Sequence, residues 1–321
     1  MSLPRSENPL KTISLPNQAG ISQLKLFLAL SRTSHGLLDM ATPALSALLC
    51  VGTFPPAEVT GLGLITAFSG YTAVYALNDV IDYRGDQEKI QASSLPESKK
   101  DLDNVYVRHP LAQGMLSYKE GLFWVVAWGV LAMVGAYLLN PVCAFIFLLA
   151  CLLEAVYCRL LKITHLRGII SGAVKTSGPM AAVLAVDPRP EIPFLIILFL
   201  WLFSWEIGGQ NVPNDWSDLE EDRKIQAKTI PVHFGLQGSI LIILSSLVIA
   251  LAMSLAMFWV APRGLGFLYL VGALFSGFYF LLLPGYRLYQ NKTSHDAFNL
   301  FNRASYYPLA MLIVTTLSWA A

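Results

Sequence analysis

Long stretches of this chain are apolar on every face, about 20 residues at a time, and short polar segments separate them. A run of that length and character is what a helix needs to cross a hydrocarbon core. About nine such runs can be read, near residues 24–50, 60–81, 119–139, 142–161, 168–186, 192–212, 237–260, 265–284 and 304–320. The pattern predicts an all-α, polytopic membrane protein with about nine transmembrane helices around a central cavity. Residues 1–23 hold Pro4, Glu7 and Pro16 and no early apolar run. They read as a flexible cytoplasmic tail, not as a signal peptide. Residues 24–321 read as a single transmembrane domain.

Composition agrees with that picture. The chain is 55% hydrophobic and 13% charged, where soluble domains carry about 25% charge. A net charge of +1 without a basic run gives no reason to expect nucleic acid. Cys50, Cys143, Cys151 and Cys158 all fall in apolar runs with no metal-ligand spacing, and the five histidines are dispersed. Small buried hydrophobes are the expected role of these cysteines, and no zinc site is expected.

The polar loops sort by charge. One side collects Arg84, Lys89, Lys99, Lys100, Arg108, Lys162, Arg167, Arg223, Lys224, Lys228, Arg287, Lys292 and Arg303. The other side holds only Arg189 and Arg263. The positive-inside rule makes the first side cytoplasmic, in a membrane expected to be the cell membrane. The stretch from Gln91 to Asn104, rich in Ser, Lys, Glu and Asp, reads as a mobile excursion on that side.

Two segments on the same side share one pattern, Asn-Asp-x-x-Asp-x-x-x-Asp. The first is Asn78, Asp79, Asp82 and Asp86; the second is Asn214, Asp215, Asp218 and Asp222. Residues three, four and seven apart share a helix face, so each copy makes a strip of carboxylates at a membrane edge. A single such cluster is usually a helix cap or solvated surface. Four positions recurring at one spacing in one setting point instead to a shared task. Carboxylate oxygens suit hard cations, and Mg²⁺ takes one or two carboxylates plus phosphate oxygens. Two strips facing each other would make a Mg²⁺–diphosphate site. Lys175 lies inside the fifth run, where a charge is costly and should face the cavity, toward diphosphate or acceptor; a snorkelling lysine is the alternative.

The chain resembles the UbiA-type intramembrane prenyltransferases. Asn78 to Asp86 is similar to their first acidic motif, and Asp218 to Asp222 to their second. Arg108-His109-Pro110-Leu111 with Gly114, Tyr157 to Lys162, and Lys228 to Gly235 resemble three further segments of that superfamily. His109 stands where arginine often directly precedes proline, and the loop from Asp86 to Arg108 is longer than usual. The resemblance implies Mg-dependent transfer of a prenyl group from a prenyl diphosphate to an aromatic, quinone-precursor-like acceptor within the bilayer. It implies Asp79, Asp82 and Asp86 around one Mg²⁺ and Asp215, Asp218 and Asp222 around another, as the catalytic metal ligands. Asn78 and Asn214 become candidates for metal or diphosphate oxygens. Arg108, Lys162 and Lys228 become candidate diphosphate clamps, with Arg32 a weaker one. Phe68, Tyr71, Tyr75, Tyr157, Trp201 and Trp205 become candidate aromatic lining. Two other readings stay open. A CDP-alcohol phosphotransferase also uses spaced aspartates, but in one contiguous run that is missing here. A cation-coupled secondary transporter would place its ionisable groups near the midplane.

Overall fold

The computed structural model describes residues 21–92, 102–103 and 105–320. The expected tail therefore lies outside the described residues up to residue 20, and the expected excursion lies mostly outside them. The described residues form helices and no strand: α1 Gln23–Leu30, α2 Thr33–Asp39, α3 Ala41–Val51, α4 Ala57–Ile81, α5 Tyr83–Ala92, α6 Tyr118–Leu139, α7 Pro141–Arg159 and α8 Arg167–Val186. They continue as α9 Ile192–Trp205, a π-helical turn Glu206–Asn211, α10 Val212–Ser217, α11 Leu219–Lys224 and α12 Ile230–Val260. The last are α13 Phe267–Gly277, a second π-turn Phe278–Leu282, α14 Leu283–Asn291, α15 Ser294–Ser305 and α16 Tyr307–Ala320.

Among the described residues, eight helical stretches are long and apolar enough to span a membrane. The ninth expected run ends as α16, which is only 14 residues long, because α15 diverts the chain just before it. The first expected run is split: Arg32 adopts a left-handed conformation with φ 44°, so the span begins at Thr33. Several boundaries follow from local chemistry. Ser117 and Glu120 cap α6 reciprocally, and the Asn140 side chain accepts from the Val142 N–H while Pro141 occupies the first turn of α7.

Both acidic motifs end up at one end of the bundle. Lys162 pairs with Glu88 of α5, and the Lys228 N–H donates to the Leu161 carbonyl at 2.7 Å. These contacts tie the loops after α4, α7 and α11 together. At the opposite end Gly52 packs on Arg263, and Asn140 Nδ2 donates to the Leu184 carbonyl at 2.9 Å. The largest buried cluster lies in the second half, where Trp201, Trp205 and Trp216 pack with residues of α12, α13, α15 and α16. Large apolar side chains such as Phe123, Phe145 and Phe267 point outward, as lipid-facing residues must.

The π-turn is clamped against α12. A Cβ on Gly208 would lie 2.8 Å from Ser246 Cβ and 2.9 Å from the Ile243 carbonyl oxygen. Overpacking of this kind costs about 1–3 kcal/mol. Gly208→Val should therefore melt several degrees below the parent in detergent; an unchanged melting temperature would contradict the clamp.

Candidate active site

Tyr75, Asn78 and Asp79 occupy the last two turns of α4, and Asp82 closes that helix before α5 presents Asp86 and Lys89. Asp215 lies on α10, Asp218 joins α10 to α11, and Asp222 ends the strip on α11. The two strips meet across one cavity of about 620 Å³. Asn78, Asp82, Asp86, Asn214, Asp215 and Asp218 line its mouth. Asp79 and Asp222 are buried just behind, with 2% and 0% of their surface exposed. The polar mouth gives way to an apolar channel along α3, α4, α7 and α8, reaching Phe54, Leu139 and Val186 at the far end.

Basic side chains hold the carboxylates together. Arg32 Nη2 donates to Asp79 Oδ1 at 3.0 Å and to Asn78 Oδ1 at 3.2 Å. His109 Nδ1 sits 2.9 Å from Asp86 and 3.4 Å from Asp79. Lys89 pairs with Asp222 at 2.9 Å, and Arg108 bridges Glu221 at 2.8 Å and Asp218 at 3.4 Å. Lys89 thus reaches from the first strip to the second. Arg32 and His109 both have positive φ, 44° and 48°, a costly backbone for non-glycine residues that tends to accompany functional positions. Gly85 leaves room for the Asp82 carboxylate, because a Cβ there would lie 2.5 Å from Asp82 Oδ1 and push that side chain aside.

The electrostatics show a deficit of positive charge at Asp82. Burial, reinforced by Asp86, raises its carboxyl to about 7. Burial would also raise Asp86, but His109 outweighs it and holds that carboxyl below the usual carboxylate range. Burial opposes charge on His109, yet Asp86 and Asp79 lift its imidazole to about 9. One atom each from Asp79, Asp86 and His109 lies within 4.8 Å of the others, so the protonated imidazole holds the two carboxylates together and their oxygens alone could ligate an ion. Acidic strips with an under-compensated member fit a divalent cation.

A second feature fits an anion. Arg167 is 7% exposed, lies with its guanidinium 4.1 Å from the centre of the Tyr157 ring, and lines the cavity beside Asp215. Its Nε and Nη1 have no hydrogen-bond partner among the described residues. Tyr157 OH accepts from Asn211 Nδ2 at 3.1 Å, which fixes the ring beneath Arg167.

The geometry gathers most of the residues singled out from the sequence. Arg108, Tyr157 and Lys175 line the cavity with both motifs, and so do Tyr71 and Tyr75. Lys162 and Lys228 do not line it: Lys162 pairs with Glu88 on the surface, and Lys228 is exposed. Trp201 and Trp205 are core residues whose ring N–H groups donate to Tyr307 OH and the Ala304 carbonyl, and Phe68 packs on Trp128. Three further acids, Glu154, Glu206 and Asp39, each stand alone in an apolar run and are absent from the acidic motifs. Glu154 accepts from Asn78 Nδ2 at 2.6 Å, and Asp39 accepts from Lys175 Nζ at 2.5 Å. Like Lys175, each of these acids carries a charge that is costly inside the membrane, and that cost is the signal that marks them.

Comparison with known proteins agrees with this architecture. The model of the UbiA prenyltransferase family matches residues 40–306. The chain is 29% identical to a digeranylgeranylglyceryl phosphate synthase of Thermococcus sibiricus over 68% of its own length and 71% of the relative's. It is 26% identical to a 4-hydroxybenzoate octaprenyltransferase of Shewanella woodyi, over 84% of this chain and 86% of that one. The structure of a UbiA homolog from Archaeoglobus fulgidus bound to DMAPP and Mg²⁺ superposes with a TM-score of 0.65 at 18% identity, covering 91% of this chain and 99% of that one. That likeness shows a shared fold.

Proposed function

The chain belongs to the UbiA prenyltransferase family and is a prenyltransferase; from that premise we propose that it transfers a prenyl group from a prenyl diphosphate to an aromatic acceptor inside the membrane. The observation that carries the reading is the meeting of the two acidic strips at one cavity mouth, beside Arg167 nitrogens that have no partner among the described residues. The related fold with DMAPP and Mg²⁺ bound supports it. Mg²⁺ held by Asp79, Asp82 and Asp86 and by Asp215, Asp218 and Asp222 would neutralise the charge that develops on the leaving diphosphate.

The chain's own residues do the rest. Arg167 supplies free N–H donors to diphosphate oxygens, and Arg108 and Lys89, already at the mouth, add positive charge. Asn78 and Asn214 line the same mouth and offer neutral hydrogen bonds. The apolar channel toward Phe54 and Val186 takes the prenyl tail and excludes water, which would otherwise capture an allylic cation. Tyr71, Tyr75 and Tyr157 present aromatic rings to the inner cavity, which can stabilise positive charge and pack on an aromatic acceptor. The asymmetry of Lys and Arg supports a mouth that opens to the cytoplasm.

The test uses purified protein in detergent with geranyl diphosphate and 4-methylphenol. Diphosphate release should require Mg²⁺ and disappear in EDTA. Equal release in EDTA would sink the reading. Lys162→Met and Lys228→Met should each stay within about twofold of the parent rate, since exposed topology-setting charges contribute little. A drop of tenfold or more for Lys228→Met would restore that residue to the diphosphate site.

A further inference from the structure

Below the mouth, α8 presents one face to the cavity. Arg167, Ser171, Lys175 and Gly178 line it at helical spacing, so each successive residue sits about 4.5–6 Å deeper. Arg167 faces the diphosphate site. Ser171 Oγ, one turn deeper, donates to Glu206 Oε1 at 2.7 Å. Glu206 is the first residue of the π-turn, a distortion that often marks functional sites. It is 6% exposed and lines the cavity, and its second oxygen, Oε2, has no hydrogen-bond partner among the described residues. A buried oxygen left without a donor is costly, so this one is a place for a ligand's O–H.

The cations nearby are already committed. Lys175 Nζ pairs with Asp39 Oδ2 at 2.5 Å and donates to Tyr75 OH at 2.7 Å. His35 bonds Asp103, and Arg32 bonds Asp79 and Asp103. Glu154 adds a further buried acid. Among the described residues of the inner cavity, acids outnumber bases and every base has a carboxylate partner. An acceptor carrying a carboxylate or phosphate would find no uncommitted cation there. Tyr71, Tyr75 and Phe301 give this region aromatic walls.

We propose that the acceptor is a neutral phenol whose hydroxyl binds Glu206 Oε2, and that Glu206 is the catalytic residue that takes its proton. The proposal rests on the prenyl-transfer reading above and names the acceptor class. In the reaction the phenolic proton passes to the Glu206 carboxylate. The ring carbon beside the oxygen gives an electron pair to C1 of the prenyl group, while the C1–O bond breaks and its pair leaves with diphosphate. The hydrogen on the attacked carbon leaves as a proton to an oxygen of the released diphosphate as aromaticity returns, and Glu206 gives its proton back to the phenolic oxygen.

The test compares 4-methylphenol, 4-hydroxybenzoate and 4-methylanisole as acceptors with geranyl diphosphate and Mg²⁺, and measures donor binding separately by calorimetry. The parent should prenylate 4-methylphenol with a kcat/KM at least tenfold above that for 4-hydroxybenzoate, and should not prenylate the anisole. Glu206→Gln should lower transfer to 4-methylphenol about 100-fold or more while donor affinity stays within twofold. Loss of donor binding in the parent itself would refute the prenyl-transfer reading, which the calorimetry registers separately. With donor binding intact, three results would overturn this proposal: preference for 4-hydroxybenzoate, no transfer to either phenol, or a Glu206→Gln variant at the parent rate. The acceptor comparison uses the parent protein alone, so it decides the question even if that variant does not fold.

Discussion

Asp82→Ala and Asp218→Ala should each lower turnover at least about a thousandfold, which is about 4 kcal/mol of barrier, while leaving the fold intact. Asp82 and Asp218 belong to different strips, yet both line one cavity mouth. A charge-neutralising ion at a leaving group supplies several kcal/mol that a surface carboxylate cannot. The stability side of this prediction is specific. Burial and the neighbouring Asp86 push the Asp82 carboxyl up to about 7, so its charge opposes the fold in the absence of a cation. Removing it should leave thermal stability unchanged or raise it, a trade expected where a site is built for function. Steady-state rates and melting curves on the same preparations check both parts. An Asp82 or Asp218 variant within tenfold of the parent rate would contradict the paired site.

The second large effect is expected at Arg167. Its guanidinium is buried, stacked on Tyr157, and has two nitrogens without acceptors among the described residues. Hydrogen bonds to charged groups are worth about 1.5–3 kcal/mol, so Arg167→Gln should raise the donor KM about 10- to 100-fold and lower kcat as well. Arg167→Lys should not restore the parent, because a lysine head lacks the planar fork and the stacking geometry. Initial rates against geranyl diphosphate concentration decide it. An unchanged donor KM would show that the guanidinium is structural only.

The membrane spans were legible because a run of apolar residues on every face can belong only to a helix in lipid or deep in a core. Expected bounds such as 60–81 and 168–186 fall within a few residues of Ala57–Ile81 and Arg167–Val186. The break at Arg32 was not legible, since an ordinary side chain carries no mark of a left-handed backbone. The acidic strips were readable from spacing, because their positions repeat along the chain. Their basic partners were not. Arg167 and Lys89 look like any other loop cation until the fold turns them inward, whereas Lys162 and Lys228 look identical and remain at the surface. Sequence distance hides such pairings: Lys89 and Asp222 meet only because α5 and α11 share an end of the bundle.

The central claim is that both acidic strips act on one diphosphate. The most direct measurement is calorimetric binding of a slow-reacting analogue, geranyl thiolodiphosphate, to the full chain in detergent, with and without Mg²⁺. The parent should bind it only when Mg²⁺ is present, and Asp82→Ala and Asp218→Ala should each weaken that binding at least tenfold. Equal affinity in EDTA, or parent affinity in either variant, would contradict a site shared by the two strips.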